Sequence, residues 1–253
     1  MQVALSRRIA HKMIGLGTII NTVSIAVAGL AGNVFNRFFN KEKQDSLTKA
    51  CGVSVLFIGI SGAMSGMLTY NGATIASSRS MYIVLCLAIG TVIGELLNIE
   101  DGFERFGVWL KQKTGNAKDP LFVDAFVTAS LTVCIGAMAI VGSIQDGMLG
   151  DYSTLAVKSV LDFIIVAIMT CSMGKGCAFS AIPVFVFEGA VTLLARLIAP
   201  IMTDAAIAGL SLIGSILIFC VGVNLVWGKK FRVANMLPAV VLAIIMEYLP
   251  WEL

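Results

Sequence analysis

The sequence predicts an all-α fold: a polytopic helical membrane protein of about eight transmembrane helices. Two observations predict it. Mean hydropathy is +0.92, and charged residues make up 13% of the 253-residue chain against the ~25% of a soluble domain. Apolar runs of near-spanning length also recur along the whole chain, since a bilayer core takes about 20 apolar residues per helix.

The predicted segments are 14–36, 47–68, 80–98, 121–144, 154–173, 178–199, 206–227 and 233–249. Turn chemistry separates them: YNGA at 70–73, QDGMLGD at 145–151 and GKG at 174–176. The longest connection, 99–120, places Phe103, Phe106, Trp109 and Leu110 on one helical face and predicts a short interfacial helix. The fourth, fifth and sixth segments, with 121–199 as their span, loosely resemble the first three, 13–98. Three helices per unit would invert the second copy, so a 3+3 inverted repeat plus the pair 206–249 is expected.

Charge orients the chain. Twelve Lys and Arg fall in four alternate connections: Arg37, Lys41, Lys43 and Lys49; Arg105, Lys111, Lys113 and Lys118; Lys175; Lys229, Lys230 and Arg232. The opposite side holds only Arg79, Lys158 and Arg196. The positive-inside rule makes the twelve-charge side cytoplasmic, with both termini outside. Arg7, Arg8 and Lys12 conflict with this placement, and a start at Met13 removes the conflict. Residues 1–12 are therefore expected to be a dispensable leader before a single transmembrane domain, 13–253; a non-spanning first helix is the alternative.

Charge inside the spans is the functional signal. Lys158 and Asp162 lie one turn apart, with Asp162 ~12 Å into its helix at ~1.5 Å per residue. A charge at such depth costs at least ~2.5–3.5 kcal/mol and is retained where it pairs, lines a cavity or moves something. The pair reads either as a helix–helix salt bridge or as the lining of an ion path. Glu188 sits mid-helix, five residues after Pro183 and just before Gly189, which suits either a pore-lining kink or an ordinary one. Gln145 and Asp146 stand at the expected outer mouth. Asn21 and Asn224 are polar groups of the spans, readable as interhelical hydrogen-bond groups or as path residues. Gly62–Gly66 and Gly90–Gly94 have the GxxxG spacing of close helix packing.

Several function classes are excluded or weak. His11 is the lone histidine, so histidine triads and histidine metal cages are out of reach. Six cysteines scattered through apolar runs behave as small hydrophobes, although Cys171 and Cys177 with Met169 and Met173 leave a soft-metal site conceivable. The GK of 174–176 lacks the Ser or Thr and the first Gly of a P-loop. No catalytic residue, resident metal or cofactor is expected. The net charge of +3 belongs to no soluble basic face, so nucleic acid is not an expected partner.

MIGLGTIIN at 13–21, GELLNIE at 94–100, ASLTVCIGAMAIVGSIQDG at 129–147 and KSVLD at 158–162 resemble the YqgA/YdfK-like bacterial inner-membrane proteins, domain of unknown function 554. That resemblance covers 13–249, implies a multi-pass protein of the bacterial inner membrane, and supplies no catalytic residue. The expectation is a transporter or channel for a small ion or solute, a cation by preference because both deep single charges, Asp162 and Glu188, are acids. The rivals are a homo-oligomeric scaffold and, third, a membrane-embedded enzyme. The expected partners are the lipid bilayer, the ion or solute, and further copies of the chain.

Overall fold

The structure is a computed structural model that describes residues 14–36, 38, 40–70, 72, 74–135 and 137–248, Ala137 by its backbone alone. The leader 1–12, the start at Met13 and Arg37 lie outside the described residues. Among those residues there are eleven α-helices and one two-stranded antiparallel hairpin.

Helix α1 (Leu16–Asn36) crosses first and α2 (Lys41–Met67) returns, opened by an Asn40 cap that accepts from Lys43 N at 3.0 Å. The hairpin β1 (Leu68–Tyr70) and β2 (Ile75–Ser77), where the sequence suggested only a turn, leads into α3 (Ser80–Leu97). Helix α4 (Ile99–Lys113) is the expected amphipathic connection: Leu110 is buried and Phe106 lies 5.8 Å from Phe126. Next come α5 (Phe122–Cys134), α6 (Ala137–Leu149) and α7 (Ser153–Met173). A 3-10 turn, Lys175–Ser180, runs into α8 (Ala181–Leu193), followed by the short α9 (Ala195–Ile198). The long α10 (Asp204–Trp227) and α11 (Pro238–Met246) complete the bundle.

The exact count of eight is not reproduced among the described residues. Among them, six stretches are long and apolar enough to cross a membrane: α1, α2, α3, α7, Lys175–Leu193 and α10. The predicted span 121–144 is two helices bent by 62°, which would make a seventh. The last segment is a short apolar stretch, Val233–Met246. It nevertheless follows α3 from end to end: Gly94 abuts Asn235, Tyr82 Oη donates to Ala243 O at 2.6 Å, and Arg79 pairs with Glu247 at 3.1 Å.

Helix α1 packs along α7, α2 along α10, and α3 along α11. The GxxxG glycines permit two of these seams. A Cβ at Gly62 would lie 2.2 Å from Ser215 Oγ, and one at Gly66 3.0 Å from Leu212, both on α10. A Cβ at Gly90 would meet Ala239 at 2.4 Å, and one at Gly94 would meet the Asn235 carbonyl at 1.7 Å.

The basic connections gather at one end. Asn36 Nδ2 donates to Cys171 O at 2.9 Å, and Gln44 Nε2 to Asn36 O at 3.4 Å. Lys229 Nζ lies 2.7 Å from both Glu100 and Glu104, while Arg232 bridges Glu95 at 2.9 Å and Asp101 at 2.6 Å. The hairpin, the 150–152 turn and the Arg79–Glu247 pair occupy the opposite end, which carries far fewer basic residues.

Candidate functional site

Lys158 and Asp162 lie on the buried face of α7, 6% and 5% exposed, and form an ion pair. The Lys158 ammonium has two further neighbours. It donates to Val133 O at 2.8 Å and stands 3.7 Å from Glu188 Oε1. Val133 O is available because α5 stops at Cys134 and Ile135 turns extended (φ −83°, ψ 116°). The last carbonyls of a helix have no partner within it and carry its negative dipole end. A buried ammonium is a matching partner for that end.

Asn21 of α1 joins the two acids. Its Nδ2 donates to Asp162 Oδ2 at 3.0 Å and to Glu188 Oε1 at 2.8 Å. Both neighbours accept, so the amide nitrogen faces them. Asn21 Oδ1 and Glu188 Oε2 are left buried without a hydrogen-bond partner among the described residues. Asn21 is 0% exposed and Glu188 1%. The cluster thus takes an amide from α1, an ammonium and a carboxylate from α7, a carboxylate from α8 and a backbone carbonyl from the end of α5.

The same helix faces continue the polar column toward the sparsely charged end. Thr18, a turn before Asn21, meets Thr192, a turn after Glu188, with their hydroxyls 3.2 Å apart. One residue earlier, Gly17 N donates to Asp146 Oδ2 at 2.9 Å. Asp146 therefore caps the N-terminus of α1, where free N–H groups and the positive dipole end favour an anion. Asp146 Oδ1 and Ser143 Oγ, on successive turns of α6, are buried and unpartnered among the described residues.

This placement corrects some expectations and sharpens others. Asp146 is not in a solvated outer loop: QDGML continues α6, and the carboxylate is 0% exposed. Gln145 is half-buried beside it, its Oε1 accepting from Thr154 Oγ1 at 2.6 Å. Asn224 is far from the cluster; its Oδ1 accepts from Lys230 N and Phe231 N at 2.8 and 2.9 Å and shapes the turn after α10. Pro183 lies in the first turn of α8, just after the 3-10 turn gives way to it, where a missing N–H removes little. The break that matters lies between α5 and α6. Gly189 is an ordinary helical residue, with Thr18 Cγ2 3.9 Å from where a Cβ would stand. Thr18, Thr192, Ser143 and the Val133 carbonyl escaped sequence reading. Hydroxyl residues in apolar runs were the available signal, and a backbone carbonyl has none.

Two cavities flank α5. One of about 220 Å³ at the basic end is lined by Glu100, Glu104, Asp124, Thr128 and Lys229. The other, about 560 Å³ and apolar, reaches the break at Cys134 and Ile135 and touches Phe187 and Leu210. Leu131 borders both. At the polar end, burial works against the Lys229 ammonium, but hydrogen bonds to Glu100 and Glu104 hold its pKa above the ordinary lysine value.

Residues 16–248 match the family described as "Protein of unknown function (DUF554)". The chain is 28% identical over 226 residues to "Uncharacterized membrane protein YdfK" of Bacillus subtilis (strain 168), covering 89% of this chain and 93% of that protein. It is also 28% identical over 232 residues to "Uncharacterized protein YqgA" of Escherichia coli (strain K12), covering 90% and 94%. No solved structure matches it.

Proposed function

The chain belongs to the DUF554 family of membrane proteins of unknown function, and from that premise we propose that it is a transporter or channel for a small cation. It would sit in a bacterial cytoplasmic membrane with its basic end inward, as the positive-inside rule orders.

The observation that carries this reading is the meeting of Lys158, Asp162, Glu188 and Asn21 at the broken end of α5. Irregular backbone at membrane depth is tolerated where it is buried in protein or lines a cavity, and transporter sites favour discontinuous helices. Ionisable groups facing a bundle interior mark ion and proton paths. The polar column from Asp146 through Thr18–Thr192 to the cluster is a candidate outer leg, and the cavity beside Asp124 a candidate inner vestibule. An inverted relation between 13–98 and 121–199 fits this reading: the cluster takes Asn21 from one half and its charged groups from the other.

The rivals gain less support. The GxxxG glycines of α2 and α3 are covered by α10 and by the 233–246 segment of the same chain, so they offer no seam to a second copy. A lysine–serine enzyme is disfavoured because Ser159 Oγ donates to Ala156 O of its own helix.

The test is flux in reconstituted liposomes. Wild type should move a cation, while Asp162→Asn and Glu188→Gln should abolish movement and remain folded. Undiminished flux in both variants would end the reading.

A further inference from the structure

Resting on the reading of the cluster as the centre of a path, we propose that it holds one monovalent cation between Asn21 Oδ1 and Glu188 Oε2, and that Lys158 restricts it to a single charge.

One ammonium stands among two carboxylates, Asp162 and Glu188, so with every group ionised one negative charge is left over. Uncompensated buried charge is strongly unfavourable, and one added positive charge removes it. Among the described residues, the groups facing Glu188 supply no other positive charge. From α7 come Lys158 and Asp162, from α1 the neutral Asn21, from the end of α5 the neutral Cys134. Asp146 of α6, further out, adds negative charge and is bound to Gly17 N.

The unpartnered atoms fall on the two partners of one hydrogen bond. Asn21 Nδ2 holds Glu188 Oε1, and the remaining atom of each terminal group is an oxygen, buried and lacking a donor. Two acceptors left without donors are an acceptor set for a cation. Oxygen ligands suit hard ions, and a proton on Glu188 Oε2 satisfies the same balance.

Lys158 sets the charge. Its three ammonium donors face Val133 O, Asp162 Oδ2 and Glu188 Oε1, so it is a tethered cation that already neutralises one carboxylate. A divalent ion would overcharge the site. Removing the ammonium leaves two negative charges and should turn the preference toward divalent ions.

The experiment reads binding, not flux. The thermal midpoint of the detergent-purified protein is followed against NaCl, KCl and LiCl, with choline chloride at matched ionic strength, against CaCl2, and from pH 5.5 to 8.5. A ligand of the folded state alone raises the midpoint saturably. Wild type should respond to one small monovalent ion, or to acid if the ion is a proton, and these arms tell the two sources apart. Glu188→Gln, which removes the surplus charge and keeps the shape, should lose the response. Lys158→Met should gain a CaCl2 response, and Lys158→Arg should keep the monovalent one. Should Lys158→Met fail to fold, Glu188→Gln decides alone. The proposal is overturned if Glu188→Gln responds as wild type does, if CaCl2 stabilises wild type as well as the monovalent salts, or if neither salt nor pH moves the midpoint. A protein that binds in this way yet shows no flux would fail only as a transporter.

Discussion

Lys158 closes the open end of α5 by donating to the Val133 carbonyl at 2.8 Å while pairing with Asp162 a turn along its own helix. One side chain thus satisfies a helix end and a carboxylate together. Lys158→Met should lower stability by roughly 3–5 kcal/mol, the loss typical when one member of a buried pair is removed. Lys158→Met with Asp162→Asn should recover part of this, since replacing both charges is often neutral. Recovery should be incomplete, because Val133 O stays without its donor. Thermal midpoints of the singles and the double in detergent measure the coupling. Full recovery would show the carbonyl contact to be energetically idle.

Asp146 caps α1 from another helix, 129 residues away in sequence. Asp146→Ala should cost about 0.5–2 kcal/mol, the range for losing an N-cap. Asp146→Asn keeps an acceptor oxygen and should cost less. Equal losses in thermal denaturation would mean that charge, not the hydrogen bond, carries the effect.

Gly94 and Gly189 should differ sharply. A Cβ at Gly94 would lie 1.7 Å from a backbone carbonyl that cannot swing away, so Gly94→Ala should destabilise by at least the ~1–3 kcal/mol of overpacking. Gly189→Ala meets nothing closer than 3.9 Å and should be near neutral. Expression and midpoint of the two variants provide the comparison.

At the basic end, Lys229→Met should harm the fold more than Glu104→Gln. The first leaves Glu100, 3% exposed, without its cation; the second removes a half-exposed acid from a screened pair, worth roughly 0.2–1 kcal/mol. The folded-state pKa of Lys229 is raised, so its contribution is fully present below the ordinary value of 10.5 and is lost as pH rises through the higher folded value. The difference between the variants should therefore be flat near neutrality and shrink only in strong alkali.

Orientation is checked by labelling intact cells with an impermeant maleimide in a cysteine-free background. A cysteine at Lys113 should stay unlabelled and one at Thr74, in the hairpin turn, should react. The opposite pattern would invert the whole assignment.

Much of this fold was legible because apolar length and charge asymmetry are local properties of a sequence. They located α1, α2, α3, α7 and α10, and the aromatic face of 99–120 located α4. The break after Cys134 was not legible: 125–144 carries no charge and holds no proline, so one-dimensional reading merged α5 with α6. Asp146 was misplaced for the same reason, since QDG reads as a turn until α1 supplies an N-terminus for it to cap. Lys158, Asp162 and Glu188 announced themselves by charge. Asn21 could be singled out but not placed, because it reaches partners 141 and 167 residues away.

The Lys158–Val133 contact has a genetic consequence. Its acceptor is main chain, which every amino acid possesses, so no exchange of the Val133 side chain deletes it. Only the lysine, or a change that re-forms the helix past Cys134, can undo the contact. A selection for second-site revertants of Lys158 variants should therefore yield alleles at Asn21, Asp162 and Glu188, or around the α5–α6 junction where continuity could be restored, and a saturation library at codon 133 should contain none.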